Sequence, residues 1–319
     1  MIGSDMAPRI VIPDDDPVIM GSSPSFLRWH EGTPCVRFDT LPASEEELLA
    51  RIRDAEVVIT LRASTKFPLS VFAACRTMKM LSIWGTGTDN VDLEAAKQHG
   101  VTVTNTPGVS AASIAEHSLM LALAVARRVV DVHNGVVAGG WPRGGAMQLH
   151  GRTLGVIGLG AIGRKLARLG QGIGMRVVAW TIHPNPALGF ELVELDDLLR
   201  TSDVVSVHLR LSPQTTGLLG RDRLALMKPG AILINTARGP IVDEPALIAA
   251  LRERRIAGAG LDVFDAEPLP AGHPLTTLGN VVLTSHCAGI TPEALEAGLA
   301  LAIENVVNYL NGQPTNVVA

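Results

Sequence analysis

Aromatic residues are scarce in this chain: four Trp, six Phe and one Tyr make up 3% of 319 residues. A core without many rings has to be built from Leu, Ile, Val and Ala. At 47% hydrophobic and 18% charged residues there is enough apolar material for a globular protein, and a disordered one is excluded. Cysteine is rare too. Cys35, Cys75 and Cys287 are odd in number and scattered, so no disulfide framework is expected and a reducing cytoplasm suits the chain. No basic stripe stands out and the net charge is −4, which argues against nucleic acid as the main partner. The most apolar stretch, Ile114–Ala126, is interrupted by Glu116, His117 and Ser118 and is too short for a membrane span. Met1–Arg9 lacks an apolar signal region, so nothing points to export and a cytoplasmic location is expected. Repeats of solenoid length and low-complexity segments are absent, and no metal site is expected. The length suggests two domains, at roughly 150 residues each.

What is present is organised around Thr153–Trp180. Thr153-Leu154-Gly155-Val156-Ile157 is an apolar run of strand length, followed by Gly158-Leu159-Gly160-Ala161-Ile162-Gly163. Ile162, Leu166, Leu169 and Ile173 then recur at helical spacing, and a second apolar run, Met175–Trp180, follows. A GxGxxG inside such a βαβ unit reads as a dinucleotide fingerprint. Gly158 permits the tight turn, Gly160 lets a pyrophosphate approach the backbone, and Gly163 lets helix and strand pack closely. The helix N-terminus offers free N–H groups and about half a positive charge.

Before this unit, apolar runs at Arg9–Pro13, Val36–Phe38, Ala55–Thr60, Met78–Trp84 and Val101–Thr104 alternate with helical patterns at Glu45–Arg53, Phe67–Cys75 and Leu93–His99. Such alternation implies a mainly parallel sheet covered on both faces. Asn105-Thr106-Pro107-Gly108 punctuates the chain, and a long apolar helix is expected over Ser113–Val130. After the fingerprint, strand-length runs recur at Val204–Leu209, Ala231–Asn235, Ala259–Phe264 and Val281–Ser285. Thr291 and Pro292 open a last helix whose stripe of Leu295, Leu299, Ala302, Ile303, Val306 and Leu310 suits a return to the first domain. The expected architecture is α/β: two doubly wound parallel-sheet domains, a flavodoxin-like one at 1–105 and 288–319 and a Rossmann one at 106–287.

Three of the later strands run into ionisable groups: Arg238, Glu267 and His286. Each alone reads as an ordinary surface or structural group. Parallel strands bring all three to one rim of the sheet, where ligands of doubly wound folds bind. A guanidinium, a carboxylate and an imidazole there suit proton-coupled hydride transfer to a keto acid.

At this point the chain resembles the D-isomer-specific 2-hydroxyacid dehydrogenase family. The likeness rests on His150–Gly163, Met227–Gly239, Gly260–Phe264 through Glu267-Pro268, and Thr284-Ser285-His286, with Gly85–Asp92 and Thr104–Gly108 upstream. It implies that Arg238 binds the substrate carboxylate and C2 oxygen, that His286 is the acid/base, and that Glu267 tunes the histidine. It implies a substrate site at the backbone of Thr86 and Gly87, with Arg62 and Ala63 nearby. The cofactor site it implies begins with Gly158, Gly160, Ala161, Ile162 and Gly163. Thr181, His208 and Arg210 follow, then Thr236, Ala237, Arg238 and His286, with Asp262 on the nicotinamide carboxamide. A homodimer through the cofactor domain is implied, which would account for the apolar helix, and His117 on that helix is read as structural. Closure about Asn105–Gly108 and the Gly289 region is expected to exclude water.

Departures sharpen this reading. An acid usually follows the second Rossmann strand and holds the ribose hydroxyls. Here Trp180 is followed by Thr181-Ile182-His183-Pro184, with no acid before Glu191. Arg210 stands where the family often has proline, so the choice between NADP and NAD leans slightly to NADP. Ser285 and Cys287 replace commoner neighbours of the histidine. Glu267 argues against formate dehydrogenases, which pair the histidine with Gln. The expected activity is reduction of a small 2-oxo acid such as glyoxylate or hydroxypyruvate. The alternatives are phosphoglycerate dehydrogenation and, from a different class, a dinucleotide-sensing co-repressor on the same scaffold.

Overall fold

The computed structural model describes residues 8–61 and 65–319. They divide into two compact units, one ending at Ser110 and resuming at Thr291, the other spanning Ala111–Ile290. These crossings fall a few residues beyond those expected at 105 and 288.

The first unit holds β1 (Ile10–Ile12), β2 (Cys35–Arg37), β3 (Val57–Leu61), β4 (Met80–Trp84) and β5 (Thr102–Thr104). All pair in parallel in the order β2-β1-β3-β4-β5. This is the flavodoxin-like order. Both β3 and β4 are buried along their whole length, as strands covered on two faces must be. The covering helices are α1 (Pro24–His30), α2 (Glu45–Ile52), α3 (Leu69–Ala74) and α4 (Leu93–Gln98). Local sequence sets their starts. Ser44, for example, accepts from the Glu47 amide, and three glutamates fill the first turn of α2 at the positive end of the helix dipole. No periodicity signalled α1, a short helix that rests on the Ser23 cap and Pro24.

The second unit opens with α5 (Ala111–Arg127) and α6 (Val129–Val137). A single helix over Ser113–Val130 is therefore corrected: Arg128 takes a left-handed conformation, φ 52°, and the chain turns into a separate valine-rich helix. Seven parallel strands follow: β6 (Thr153–Ile157), β7 (Arg176–Trp180), β8 (Glu191–Leu192), β9 (Val204–Val207), β10 (Ile232–Asn235), β11 (Gly258–Leu261) and β12 (Val281–Leu283). Their order is β12-β11-β10-β9-β6-β7-β8, so the topological switch lies between β6 and β9. Helices α7 (Ala161–Gly172), α8 (Leu195–Thr201), α9 (Arg221–Leu226) and α10 (Glu244–Arg252) complete the crossovers.

The last helix, α11 (Pro292–Leu310), belongs to the first unit. Thr291 caps it by accepting from the Ala294 amide. Leu299, Ala302, Ile303 and Val306 are buried with Ile10, Ile59, Met80 and Trp84, and the Ser82 hydroxyl donates to the Ala302 carbonyl at 3.1 Å. At about 1.5–3 kcal/mol per buried aliphatic side chain, that stripe is what ties the C-terminal segment to the first sheet.

Candidate active site

Six neighbouring strands of the second sheet deliver the candidate residues at their carboxyl ends. Gly158–Gly163 follow β6, Thr181 follows β7, and His208 and Arg210 follow β9. Thr236, Ala237 and Arg238 follow β10, Asp262 and Glu267 follow β11, and His286 follows β12.

The glycine turn sits at the switch point, where the His208 amide donates to the Ile157 carbonyl at 2.7 Å. Gly158 has φ +100°, and a Cβ there would stand 2.5 Å from the His208 carbonyl oxygen. A Cβ on Gly163 would come within 1.9 Å of the Gly158 carbonyl oxygen. Both positions therefore exclude a side chain. Gly160 differs, since a Cβ there would meet nothing within 4 Å. It is the N-cap of α7 and supplies no side-chain cap, and Ala161 and Ile162 begin the helix behind it. Open space in front of an uncapped helix N-terminus fits a dinucleotide pyrophosphate.

Beyond the turn, the Gly158 amide donates to the Trp180 carbonyl at 2.7 Å, which sets Thr181 beside it. No acid stands between Trp180 and Glu191 in the sequence, and Glu191 is held by Arg176 at 2.6 Å, at the amino end of β7 and away from the turn at its carboxyl end. The Arg210 side chain is exposed and has no ion-pair partner among the described residues. His208 Nε2 lies 2.8 Å from Ser206 Oγ, while its Nδ1 is buried without a partner among the described residues. Burial pushes the His208 pKa down to about 3, so this ring is neutral. Thr236 is buried, its hydroxyl 2.8 Å from that of Ser118 on α5. Ala237 is buried beside it.

His286 and Glu267 form a pair, with His286 Nδ1 2.6 Å from Glu267 Oε2. Glu267 Oε1 accepts the Phe264 amide at 3.0 Å. Burial pushes the Glu267 carboxyl up, but the His286 hydrogen bond, the Phe264 amide and the charges of His286 and Arg238 outweigh it and hold the group below the usual carboxylate range. Arg238 is half-buried, and the glycine after it explains how it reaches this corner. A Cβ on Gly239 would collide with the Phe264 carbonyl carbon at 2.1 Å, so only glycine lets the two loops touch.

His286 stands at φ 53° in the left-handed region, where a non-glycine residue needs outside support. Asp262 supplies it. The Asp262 carbonyl accepts the His286 amide at 2.8 Å. Its carboxylate accepts the Cys287 and Ala288 amides, each at 3.0 Å, and the Thr284 hydroxyl at 2.6 Å. This carboxylate is 1% exposed and committed to the loop that carries His286. Sequence alone could not reveal that, nor the parts of Thr284 and Ser206, because short polar residues at strand ends carry no periodic signal.

In the first unit, Thr86 and Gly87 follow β4 in a loop fastened to the end of β5. Thr86 Oγ1 donates to the Thr106 carbonyl at 3.2 Å, and Asn105 Nδ2 donates to the Thr86 carbonyl at 2.8 Å. Arg62 and Ala63 lie outside the described residues. No helix among the described residues is long and apolar enough to cross a membrane.

Comparison with known proteins agrees with this geometry. Residues 119–288 match the family model described as D-isomer specific 2-hydroxyacid dehydrogenase, NAD binding domain. A glyoxylate reductase of Aeropyrum pernix is 40% identical over 291 residues, covering 87% of each chain. A D-3-phosphoglycerate dehydrogenase of Archaeoglobus fulgidus is 39% identical over 278 residues, 85% of this chain and 52% of that one. Among solved structures, an NADPH-dependent glyoxylate/hydroxypyruvate reductase from Sinorhizobium meliloti in complex with citrate superposes with a TM-score of 0.86 at 30% identity, covering 98% of both chains. The chain is therefore an NAD(P)-dependent dehydrogenase and belongs to the D-isomer-specific 2-hydroxyacid dehydrogenase family.

Proposed function

We propose that this enzyme reduces a small 2-oxo acid, glyoxylate or hydroxypyruvate, to the 2-hydroxy acid, of D configuration where C2 is chiral. The observation that carries the reading is the 2.6 Å His286–Glu267 pair on a rim shared with Arg238 and the glycine turn. A bound nicotinamide supplies the hydride. Arg238 holds the substrate carboxylate and polarises the C2 oxygen with charge-assisted hydrogen bonds of roughly 1.5–3 kcal/mol. Protonated His286 gives its proton to that oxygen as it becomes an alkoxide, and the Glu267 carboxylate steadies the imidazolium until then. Asp262 serves the nicotinamide end through the loop it holds, which fixes the imidazole in place.

We assign the first unit as the substrate domain, with the backbone of Thr86 and Gly87, and Arg62 and Ala63, as the substrate-binding residues that it carries. The second unit is the cofactor domain. We assign NADP as the preferred cofactor over NAD. The turn after β7 has no acid to repel a 2′-phosphate, while Thr181, His183 and the unpaired Arg210 stand ready to bind one. The ratio of kcat/KM with NADPH and NADH tests this, and a strong NADH preference contradicts it.

We also assign a homodimer through α5 and α6. Met120 and Leu123 on α5, Val129, Val130, Val136 and Val137 on α6, and Trp141 beyond them are exposed apolar side chains, with Val137 at 73% and Trp141 at 74%. The three cysteines are free, which suits a reducing cytoplasm. Steady NAD(P)H consumption with a panel of 2-oxo acids tests the reaction. Turnover of glyoxylate or hydroxypyruvate supports it, and inertness toward the whole panel overturns it. Phosphoglycerate in the same panel, run in the oxidative direction, distinguishes the dehydrogenase whose relatives this chain spans by about half.

A further inference from the structure

Behind His286 the fold gathers three donors that the proposed reaction does not use as a group: the His117 imidazole, the Asp262 carboxylate and the Cys287 thiol. His117 Nε2 lies 3.6 Å from Asp262 Oδ1, and Cys287 Sγ lies 3.8 Å from the same oxygen. All three ligand atoms fall within 4.8 Å of one another. They come from α5, the end of β11 and the loop after β12, so tertiary packing sets their spacing.

In a tetrahedral zinc site with bonds of about 2.0–2.3 Å, neighbouring donors stand roughly 3.3–3.6 Å apart. The two separations from Asp262 Oδ1, 3.6 and 3.8 Å, lie within a few tenths of an ångström of that range, and the third, at most 4.8 Å, closes by side-chain rotation of His117 and Cys287. The donor set is equally specific. Imidazole, carboxylate and thiolate together favour Zn²⁺, Cd²⁺ or Co²⁺, whereas Mg²⁺ and Ca²⁺ want oxygen alone. With Asp262 buried and His117 and Cys287 half-covered, a cation held here is shielded from bulk water yet has an entry on the Cys287 side, next to exposed Ser285 and His286.

We propose that His117, Asp262 and Cys287 form a site for one thiophilic divalent cation, and that filling it switches off reduction. On binding, the Cys287 S–H bond breaks, a sulfur–metal bond forms and the proton leaves to solvent, with no change of oxidation state. The cation also takes over Asp262 Oδ1 from the Thr284 hydroxyl, which is shared with His117 Nε2 at 3.0 Å. Because Asp262 holds the amides on either side of His286 Cα, the rearranged loop no longer presents the imidazole correctly. Metal binding stands independently of the reaction assigned above; the inhibition rests on it.

The experiment titrates the full chain with Co²⁺, without substrate, and follows the thiolate-to-cobalt charge-transfer absorption. One Co²⁺ per chain is expected, with the band displaced by Zn²⁺, and Zn²⁺ is expected to inhibit turnover reversibly on adding chelator. Cys287→Ala should keep basal turnover while losing both the band and the inhibition, and His117→Gln should lose the inhibition. Cys35 needs a control because its Sγ lies 3.4 Å from His30 Nδ1, a second thiol–imidazole pair. Cys35→Ala should keep the band. A band that survives in Cys287→Ala, a band lost in Cys35→Ala, no band at all, or metal-loaded enzyme turning over at the metal-free rate each overturns the proposal. The spectrum reads the site whatever substrate the enzyme prefers, so its failure is distinct from failure of the assigned reaction.

Discussion

Replacing Glu267 by Gln changes charge while nearly preserving shape. The carboxylate meets His286 Nδ1 through Oε2 at 2.6 Å and the Phe264 amide through Oε1 at 3.0 Å. An amide keeps the second contact and loses the ionic character of the first. A hydrogen bond to a charged group contributes about 1.5–3 kcal/mol. The side chains of His286 and Glu267 are 40% and 35% exposed, so solvent screens the pair toward the lower figure. About 1.4 kcal/mol corresponds to a tenfold change in rate. The direction follows from the role of the pair: reduction takes a proton from the imidazole, and the carboxylate steadies the imidazolium until then. In Glu267→Gln kcat/KM for 2-oxo acid reduction therefore falls by about tenfold. The KM for NADPH stays near that of the parent. The assay is the initial rate of NADPH consumption, followed by absorbance across a range of 2-oxo acid concentrations. A kcat/KM equal to that of the parent refutes the coupling of these two side chains.

Other perturbations follow from particular contacts. Gly163→Ala forces a methyl against the Gly158 carbonyl, so it should cost about 1–3 kcal/mol and weaken NADPH binding together, read by urea unfolding and by fluorescence titration. Arg238→Lys should lower kcat and raise KM for the 2-oxo acid, because an ammonium cannot replace a planar fork in steady-state kinetics. His208 has a folded pKa of about 3 against about 6.5 in the unfolded chain. Between those values the unfolded state binds the extra proton, so this contribution to stability is whole above about pH 6.5 and is lost as pH falls toward 3. His208→Gln should flatten that decline in urea midpoints on the acid side of neutrality.

Much of this was legible in the sequence, for identifiable reasons. Strands buried on two faces announce themselves as apolar runs, so β3, β4, β6, β9 and β10 stand where Val, Ile and Leu cluster. The glycine turn was legible because Gly158 and Gly163 face steric limits that no other residue meets. Arg238, Glu267 and His286 were readable as a group because parallel strands end on one rim. The break at Arg128 was not, since a left-handed arginine has no sequence mark and Val129–Val137 is valine-rich, with β-branched residues that favour strand over helix. The hub at Asp262 escaped too. Its partners Thr284, Cys287 and Ala288 are small residues whose role depends on backbone amides brought together by β11 and β12.

The central claim is that His286 is the proton donor of the reduction. Its most direct test is kcat/KM of His286→Ala with the best 2-oxo acid of the panel, alongside the dissociation constant for NADPH. A fall of about 10²–10⁴ in rate with cofactor binding retained is expected. Turnover near that of the parent enzyme would contradict it.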